Sequence, residues 1–373
     1  MSYPRQPEAG LFASIAPPML TSITTFLSQL RLSDGALLLI AAVVGVLVAR
    51  GCHSLAKRAD PRVRLFLILS LLNLSLLVIL YAVPRAFAEN TAIISVLSVP
   101  PPMLYEIPSV ALFSVSFLKR YRDLLPLNGV AVALGLWALM GFRFALTAPP
   151  ETDRNVTVMS WNLSGKSIDL HGIMNGIRAS SPDVVCLQAV PADAILETRL
   201  PAYHWYQAHG LAIGSQGRQL ERDAFALPSS SRSAIESTVS IHGRNYDVIT
   251  FDLSGGMEDP GKARPSVDLR KLHALLADRK RRLVIAMALG AQQPSREYQA
   301  LSAGLVDAFE QSGTGFGYTT PARFPTRRSN YVMISPDCAA RSAIPLNLAF
   351  SDHLPLRVIV GSLVAKEKTP PAK

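Results

Sequence analysis

Hydrophobic positions follow two regimes along this chain, and the change comes near residue 150. Before it, apolar residues run almost continuously. Leu65–Val83 is a stretch of 19 residues whose only polar members are Ser, Asn and Tyr, and ~20 apolar residues in helical form cross a bilayer core of ~30 Å. Gly35–Ala49 is apolar but short. Leu127–Leu146 opens beside Asn128 and carries Arg143 near its end. Ala92–Leu118 is interrupted by Pro100, Pro101, Pro102, Glu106 and Pro108, so it reads as one kinked span or as a re-entrant piece followed by a short helix. Leu11–Leu30, broken by Pro17 and Pro18, reads as an interfacial helix. The expectation is an N-terminal tail with that helix over 1–34, and about four transmembrane helices over 35–147. Glu106 at such a depth has the chemistry of a proton or ion site. Its place among prolines favours the plainer reading of an acid that faces water.

A linker over 148–153 leads into a different pattern. Val156–Leu163 reads as a buried strand, and Ile168–Arg178 has apolar residues at helical spacing. Ser181–Val190, entered through Pro182-Asp183, reads as a second strand. Strand, helix and strand within about 35 residues make a βαβ unit. Beyond it the pattern predicts a helix over Pro191–Leu200 and strands over His204–Ala208 and Leu211–Gly214. A strand pair follows over Ser237–Ile241 and Tyr246–Leu253, about a turn at Gly243-Arg244-Asn245. A Gly/Pro loop spans Ser254–Ser266. Helices then fall over Val267–Asp278 and Arg296–Gly304, and strands over Arg282–Leu289, Tyr331–Ser335 and Pro355–Val360. This order predicts an α/β fold over 154–362, a four-layer sandwich of two packed β-sheets flanked by helices, with a disordered tail over 363–373.

Charge refines the picture. Of the net +10, the first 150 residues carry +6 and the remainder +4. The basic residues of the first part cluster between apolar runs, at Arg50–Arg64 and Lys119–Arg122, which marks those loops as cytoplasmic. Four spans then place the second part outside the cytoplasm, anchored to the inner or plasma membrane; if Ala92–Leu118 does not span, the second part moves to the cytoplasm. The lipid bilayer is the first expected partner. In the second part, Arg279–Arg282 and Arg327-Arg328 are too short for the basic stripe of a nucleic-acid surface, so nucleic acid is not an expected partner. Three cysteines show no metal spacing. Cys186 and Cys338 read as buried small hydrophobes, or as a disulfide if their geometry allows one.

Four segments in order then carry a resemblance: Ser160-Trp161-Asn162, Pro182 to Gln188, Tyr331 to Ser335, and Ser351-Asp352-His353-Leu354-Pro355. Together they resemble the endonuclease/exonuclease/phosphatase superfamily, and the apolar N-terminal runs before such a domain, with the segment Gly315–Pro321, resemble its membrane-anchored bacterial branch. The resemblance implies Mg²⁺-dependent phosphoester hydrolysis. A metal carboxylate, an Asp/Asn pair, and a His oriented by an Asp would carry it.

The departures from that pattern decide the functional expectation. The metal carboxylate position is Ala189, and the Asp/Asn pair is Ala288 and Gly290. Asp252 stands where the family has a His, and Asn330 replaces the Asp that orients the catalytic His. Asn162, Asp352 and His353 remain, each with an ordinary structural explanation as a strand-end cap or turn. The resemblance therefore implies the fold without its catalysis: no cofactor, and a pseudoenzyme that binds an envelope protein or a phosphorylated ligand. Two alternatives stand beside it. One is an active Mg²⁺ hydrolase in which Asp252, with Asp352 and His353, rebuilds the site, Asp183 being the weaker substitute. The other is a channel or transporter function in the membrane half.

Overall fold

The computed structural model describes residues 60–86, 100–144, 151–164, 168–228, 232–254, 269–277, 282–290 and 296–363. The expected helix over 11–30, the expected span over 35–49, the residues before 100 in the interrupted run, most of the Gly/Pro loop and the C-terminal tail lie outside them. The chain divides into two compact units, one of 1–91 with 108–132 and one of 92–107 with 133–373.

In the first unit, helix α1 (Pro61–Ala86) covers the clean apolar run. Its window Pro61–Tyr81, with mean hydropathy 2.5, is the one stretch among the described residues long and apolar enough to cross a membrane. Its outward face is aliphatic, with Leu65, Leu72 and Ile79 all more than half exposed. Asn73 Nδ2 donates to Ser109 Oγ at 3.0 Å and Asn128 Nδ2 to Ser116 Oγ at 2.9 Å. Such amide–hydroxyl pairs satisfy polar side chains between apolar helices.

The other expected spans are shorter than the apolar pattern suggested. Helix α2 (Pro102–Leu118) begins with a proline at its first position, where no N–H is missed, and has Pro108 inside. Helix α3 (Leu125–Leu134) continues as a π-helical turn, Gly135–Leu139, and stops there rather than at Leu146. Both fall among the shorter apolar helices of 10–17 residues. Glu106 does not face water: it is 5% exposed. Its carboxylate lies over Gly135 so closely that a Cβ there would come within 1.6 Å of Oε2.

The described residues of the second unit form twelve strands: β1 (Thr152–Asn162), β2 (Val184–Gln188), β3 (His204–Ala208), β4 (Leu211–Ser215), β5 (Arg218–Ala226), β6 (Ser233–Ile241), β7 (Arg244–Leu253), β8 (Arg282–Leu289), β9 (Val306–Asp307), β10 (Asn330–Ile334), β11 (Cys338–Pro345) and β12 (Leu356–Leu363). One sheet has the order β11-β12-β1-β2-β4-β3 and the other β5-β6-β7-β8-β10-β9. The two parallel pairs, β1/β2 and β7/β8, lie inside their sheets, and every other pairing is antiparallel.

Period-2 alternation sorts the strand residues into layers. Val156, Val158, Val184 and Cys186 of one sheet meet Val248, Val284, Ala286 and Val332 of the other in the central core. The outer face of the first sheet packs Met159, Trp161, Val185 and Leu187 under helix α4 (Leu170–Ser180), through Ile173, Met174 and Ile177. The outer face of the second packs Phe251, Ile285 and Tyr331 under α6 (Leu269–Ala277) and α7 (Arg296–Ser302). These are the four expected layers. Helix α4 starts where Asp169 Oδ1 accepts the Gly172 N–H at 2.9 Å, an N-cap.

Several local expectations change. The segment after β2 forms only a single helical turn, α5 (Leu196–Arg199), because Pro191 and Asp193 open it as turns. The turn between β6 and β7 is His242-Gly243, with φ of 51° and 72°, which leaves Arg244 and Asn245 in the strand. His209-Gly210 repeats it between β3 and β4, with φ of 53° and 71°. Two consecutive positive φ values suit the twist of a two-residue hairpin. Cys186 and Cys338 are free thiols. Burial raises both thiol pKa values, that of Cys338 to about 11.

Candidate active-site end of the sandwich

The strand registers gather the motif residues at one end of the sandwich. Asn162 pairs with Gln188 across β1/β2, and both face the central layer. On the opposite sheet, Asp252 of β7 and Asn330 of β10 both register with Ala288 of β8. Alternation then sets Asp252, Ala288 and Asn330 in one row facing the first sheet. Gly290 follows that row by two residues, and Ala189 follows Gln188 by one. His353 stands just before β12, in the turn Ser351-Asp352-His353.

Neutral hydrogen bonds close this end. Gln188 Nε2 reaches across the central layer to Thr250 Oγ1 at 2.9 Å. Asn162 Nδ2 reaches across to Ser254 Oγ at 3.2 Å, while its Oδ1 accepts the Ser164 N–H at 2.8 Å. Asn162, Gln188 and Asn330 are fully buried, and His353 is 1% exposed. Gln188 Oε1 finds no hydrogen-bond partner among the described residues.

The one carboxylate in the row is committed. Asp252 Oδ1 accepts from the Ser254 N–H at 2.7 Å and its hydroxyl at 2.5 Å. The Arg232 guanidinium donates to the Asp252 carbonyl at 2.6 Å and stands 3.9 Å from Oδ1. Asp352 points to solvent, its backbone carbonyl accepting from Ala322 N at 2.8 Å. Asp183 lies at the other end of its strand and accepts the Thr157 N–H at 2.7 Å, a structural bond.

His353 is oriented by Ser329 rather than by Asn330. Its Nδ1 lies 2.8 Å from Ser329 Oγ. Asn330 Nδ2 instead donates to the Leu354 carbonyl at 3.0 Å. Thr319 Oγ1 accepts two backbone N–H groups, from Ser329 at 3.0 Å and Asn330 at 3.2 Å, so its own proton is directed to Ser329 Oγ, 3.2 Å away. Ser329 can then either accept from or donate to Nδ1. A carboxylate there would hold the Nδ1–H tautomer and stabilise an imidazolium; a hydroxyl does neither.

Sequence reasoning did not find Ser254, Thr250, Thr319 or Ser329. Ser329 adjoins Asn330, the position at which the resemblance expects the carboxylate that orients His353. Ser254 and Thr250 act through contacts across the sheets, which no local spacing encodes.

A Mg²⁺ keeps several waters and is held by one or two carboxylates together with substrate phosphate. The row offers a methyl at Ala288, a bare backbone at Gly290, amides already bonded and one engaged carboxylate. No group of three His, Cys, Asp or Glu side chains able to hold a metal occurs among the described residues. The donors present do not fit the ion that the resemblance implies.

No protein-family model and no curated protein matches the chain. Among solved structures, the chain is similar to the catalytic domain of human Nocturnin, with TM-score 0.45 and 20% identity over 57% of this chain and 96% of that one. It is similar to a mannosyl-6-phosphatase of Bacteroides thetaiotaomicron, with TM-score 0.45 and 14% identity over 55% and 99%. An endonuclease/exonuclease/phosphatase of Beutenbergia cavernae gives 0.44 and 21% over 56% and 72%. By its own strand order, its paired mixed sheets and the gathering of Asn162, Gln188, Asn330 and His353 at one end, the stretch 152–363 has the endonuclease/exonuclease/phosphatase fold.

Proposed function

We propose that this chain is a membrane-anchored protein whose endonuclease/exonuclease/phosphatase-fold domain binds a partner at the cell envelope instead of hydrolysing a phosphoester. One observation carries the reading: neutral side chains stitch shut the end of the sandwich where the motif residues gather. The bonds are Gln188 to Thr250, Asn162 to Ser254 and His353 to Ser329. Losing a single preorganised electrostatic group costs about 10²–10³ in rate, and here a metal carboxylate, an Asp/Asn pair and a His-orienting carboxylate are absent together. Anchoring is supported by the length and hydropathy of α1. If the four apolar runs all cross, the basic loops between them support an extracytoplasmic side for the domain. An envelope protein or a phosphorylated envelope ligand is the proposed partner.

The test is a phosphodiesterase assay on the purified full chain with Mg²⁺ or Mn²⁺ and bis-p-nitrophenyl phosphate. The wild type is expected to match the metal-only background. The triple variant Ala189→Glu, Ala288→Asp, Gly290→Asn is expected to rise above it. Wild-type hydrolysis that needs the metal and vanishes in His353→Ala overturns the reading.

A further inference from the structure

The exit of the last apolar helix and the rim of the candidate site are fastened together within one compact unit, since residues 133–144 belong with the sandwich. The π-helical turn ends at Met140, and the chain is then clamped to residues 310–318. Arg143 and Gly315 exchange both backbone hydrogen bonds, each 2.9 Å. The Arg143 guanidinium meets the Glu310 carboxylate at 2.6 Å. The Phe142 ring stands edge-on to Phe316 at 4.9 Å, and Phe316 stacks on Tyr318 at 5.1 Å. The Tyr318 hydroxyl donates to the Met140 carbonyl at 2.9 Å, and burial raises its pKa, so it stays a donor at neutral pH.

From Tyr318 the chain passes directly to the candidate site. Leu354 N donates to the Thr319 carbonyl at 2.7 Å, and Ala322 N to the Asp352 carbonyl at 2.8 Å. Held by these anchors, the loop 321–327 turns Arg323 and Phe324 outward, Phe324 being 68% exposed. Phe144, just beyond the helix exit, is 67% exposed. Trp137, in the last helical turn, has the Arg143 guanidinium 5.9 Å from its ring. An apolar helix that ends among aromatic rings and guanidinium groups has the composition of a bilayer–water boundary.

We propose that the loop 321–327 rests on an anionic phospholipid bilayer, with Phe324 at the headgroup boundary and Arg323 against lipid phosphates. The rim of the candidate site, at Asp352, then lies at the membrane surface, and its partner is reached along that surface. This inference rests on the membrane anchoring proposed above. An exposed ring beside a cation is stabilised in such an interface by apolar burial together with attraction to anionic headgroups.

The experiment uses the full chain, with Cys52→Ser, in phosphatidylcholine–phosphatidylglycerol vesicles. Single nitroxide labels are placed through Phe324→Cys, Leu220→Cys on the edge strand β5, and Ile79→Cys on α1. Collision with a water-soluble nickel complex is compared with collision with oxygen. The label at 324 is expected to meet nickel roughly fivefold less often than the label at 220, as for a group ~5 Å into the boundary, and the label at 79 is expected to meet it least. Arg143→Glu, which sets two acids together, is expected to raise collision at 324 toward that at 220 and leave 79 unchanged. Equal collision at 324 and 220 with 79 protected overturns the proposal and leaves anchoring intact. Equal collision at all three sites overturns anchoring and this proposal with it. Protection at 324 that persists in Arg143→Glu overturns the role of the clamp.

Discussion

Ala189 carries a φ of 51°, in the left-handed region, on the bend that follows β2. A side chain with a Cβ is disfavoured there by about 1–2 kcal/mol, and glycine is not. Because glycine also loses more backbone freedom on folding, Ala189→Gly is expected to stabilise by a net ~0.5–1 kcal/mol. Urea denaturation of the isolated domain measures it, and a loss of stability would contradict the assignment of strain to this residue. The same geometry bears on the proposed triple variant, because a glutamate at 189 inherits the positive φ.

The element most dependent on a single charge pair is the short stretch of β9 and α8 (Ala308–Ser312). Asp307 ends β9 and caps α8, accepting Phe309 N at 2.9 Å. It also accepts the Tyr298 hydroxyl at 2.8 Å and meets Arg328 at 2.6 Å. The Arg328 guanidinium lies between the rings of Phe309 and Tyr331, at 4.8 and 4.4 Å. Asp307→Asn keeps the cap and leaves that cation buried without its charge partner, which is expected to cost about 3–5 kcal/mol in thermal or chemical melts. A loss under about 1 kcal/mol would show that the rings alone hold Arg328. At this scale the sequence was legible where alternation and burial agreed. Arg282–Leu289 is a strand with the expected bounds. Strand β5 was missed because its residues, from Arg218 to Ala226, are mostly exposed and charged and show no apolar face. Strand β11 was missed because Ala339, Ala340 and Arg341 give a weak strand signal, and pairing with β12 decides it. Of the candidate site, the positions of Asn162, Asn330 and His353 were legible from their motifs. The bonds from Gln188 to Thr250 and from Asn162 to Ser254 were not, since they join residues on different sheets.

Across the whole molecule, the clamp at Arg143 is the contact that a truncation would remove. A half-exposed ion pair contributes about 0.2–1 kcal/mol and an aromatic pair about 0.5–1.5 kcal/mol. A fragment of residues 151–363 is therefore expected to fold but to melt roughly 3–6 °C below a fragment of residues 133–363, which differential scanning calorimetry can resolve. Equal melting temperatures would show that the clamp adds no stability to the sandwich. The two sheets also differ in how they use the chain. The second draws all six strands from one continuous stretch, Arg218 to Ile334. The first sets β1 between β2 and β12, with Thr152 opposite Leu363. A nascent chain leaving the ribosome can assemble the second sheet as soon as β10 emerges. Its first sheet must keep one edge of β1 unpaired until the last strand has been synthesised. A bare edge of that kind invites pairing with other chains, so the delay before β12 reaches β1, and whether a holding chaperone covers that edge meanwhile, govern how much of this protein reaches its folded form.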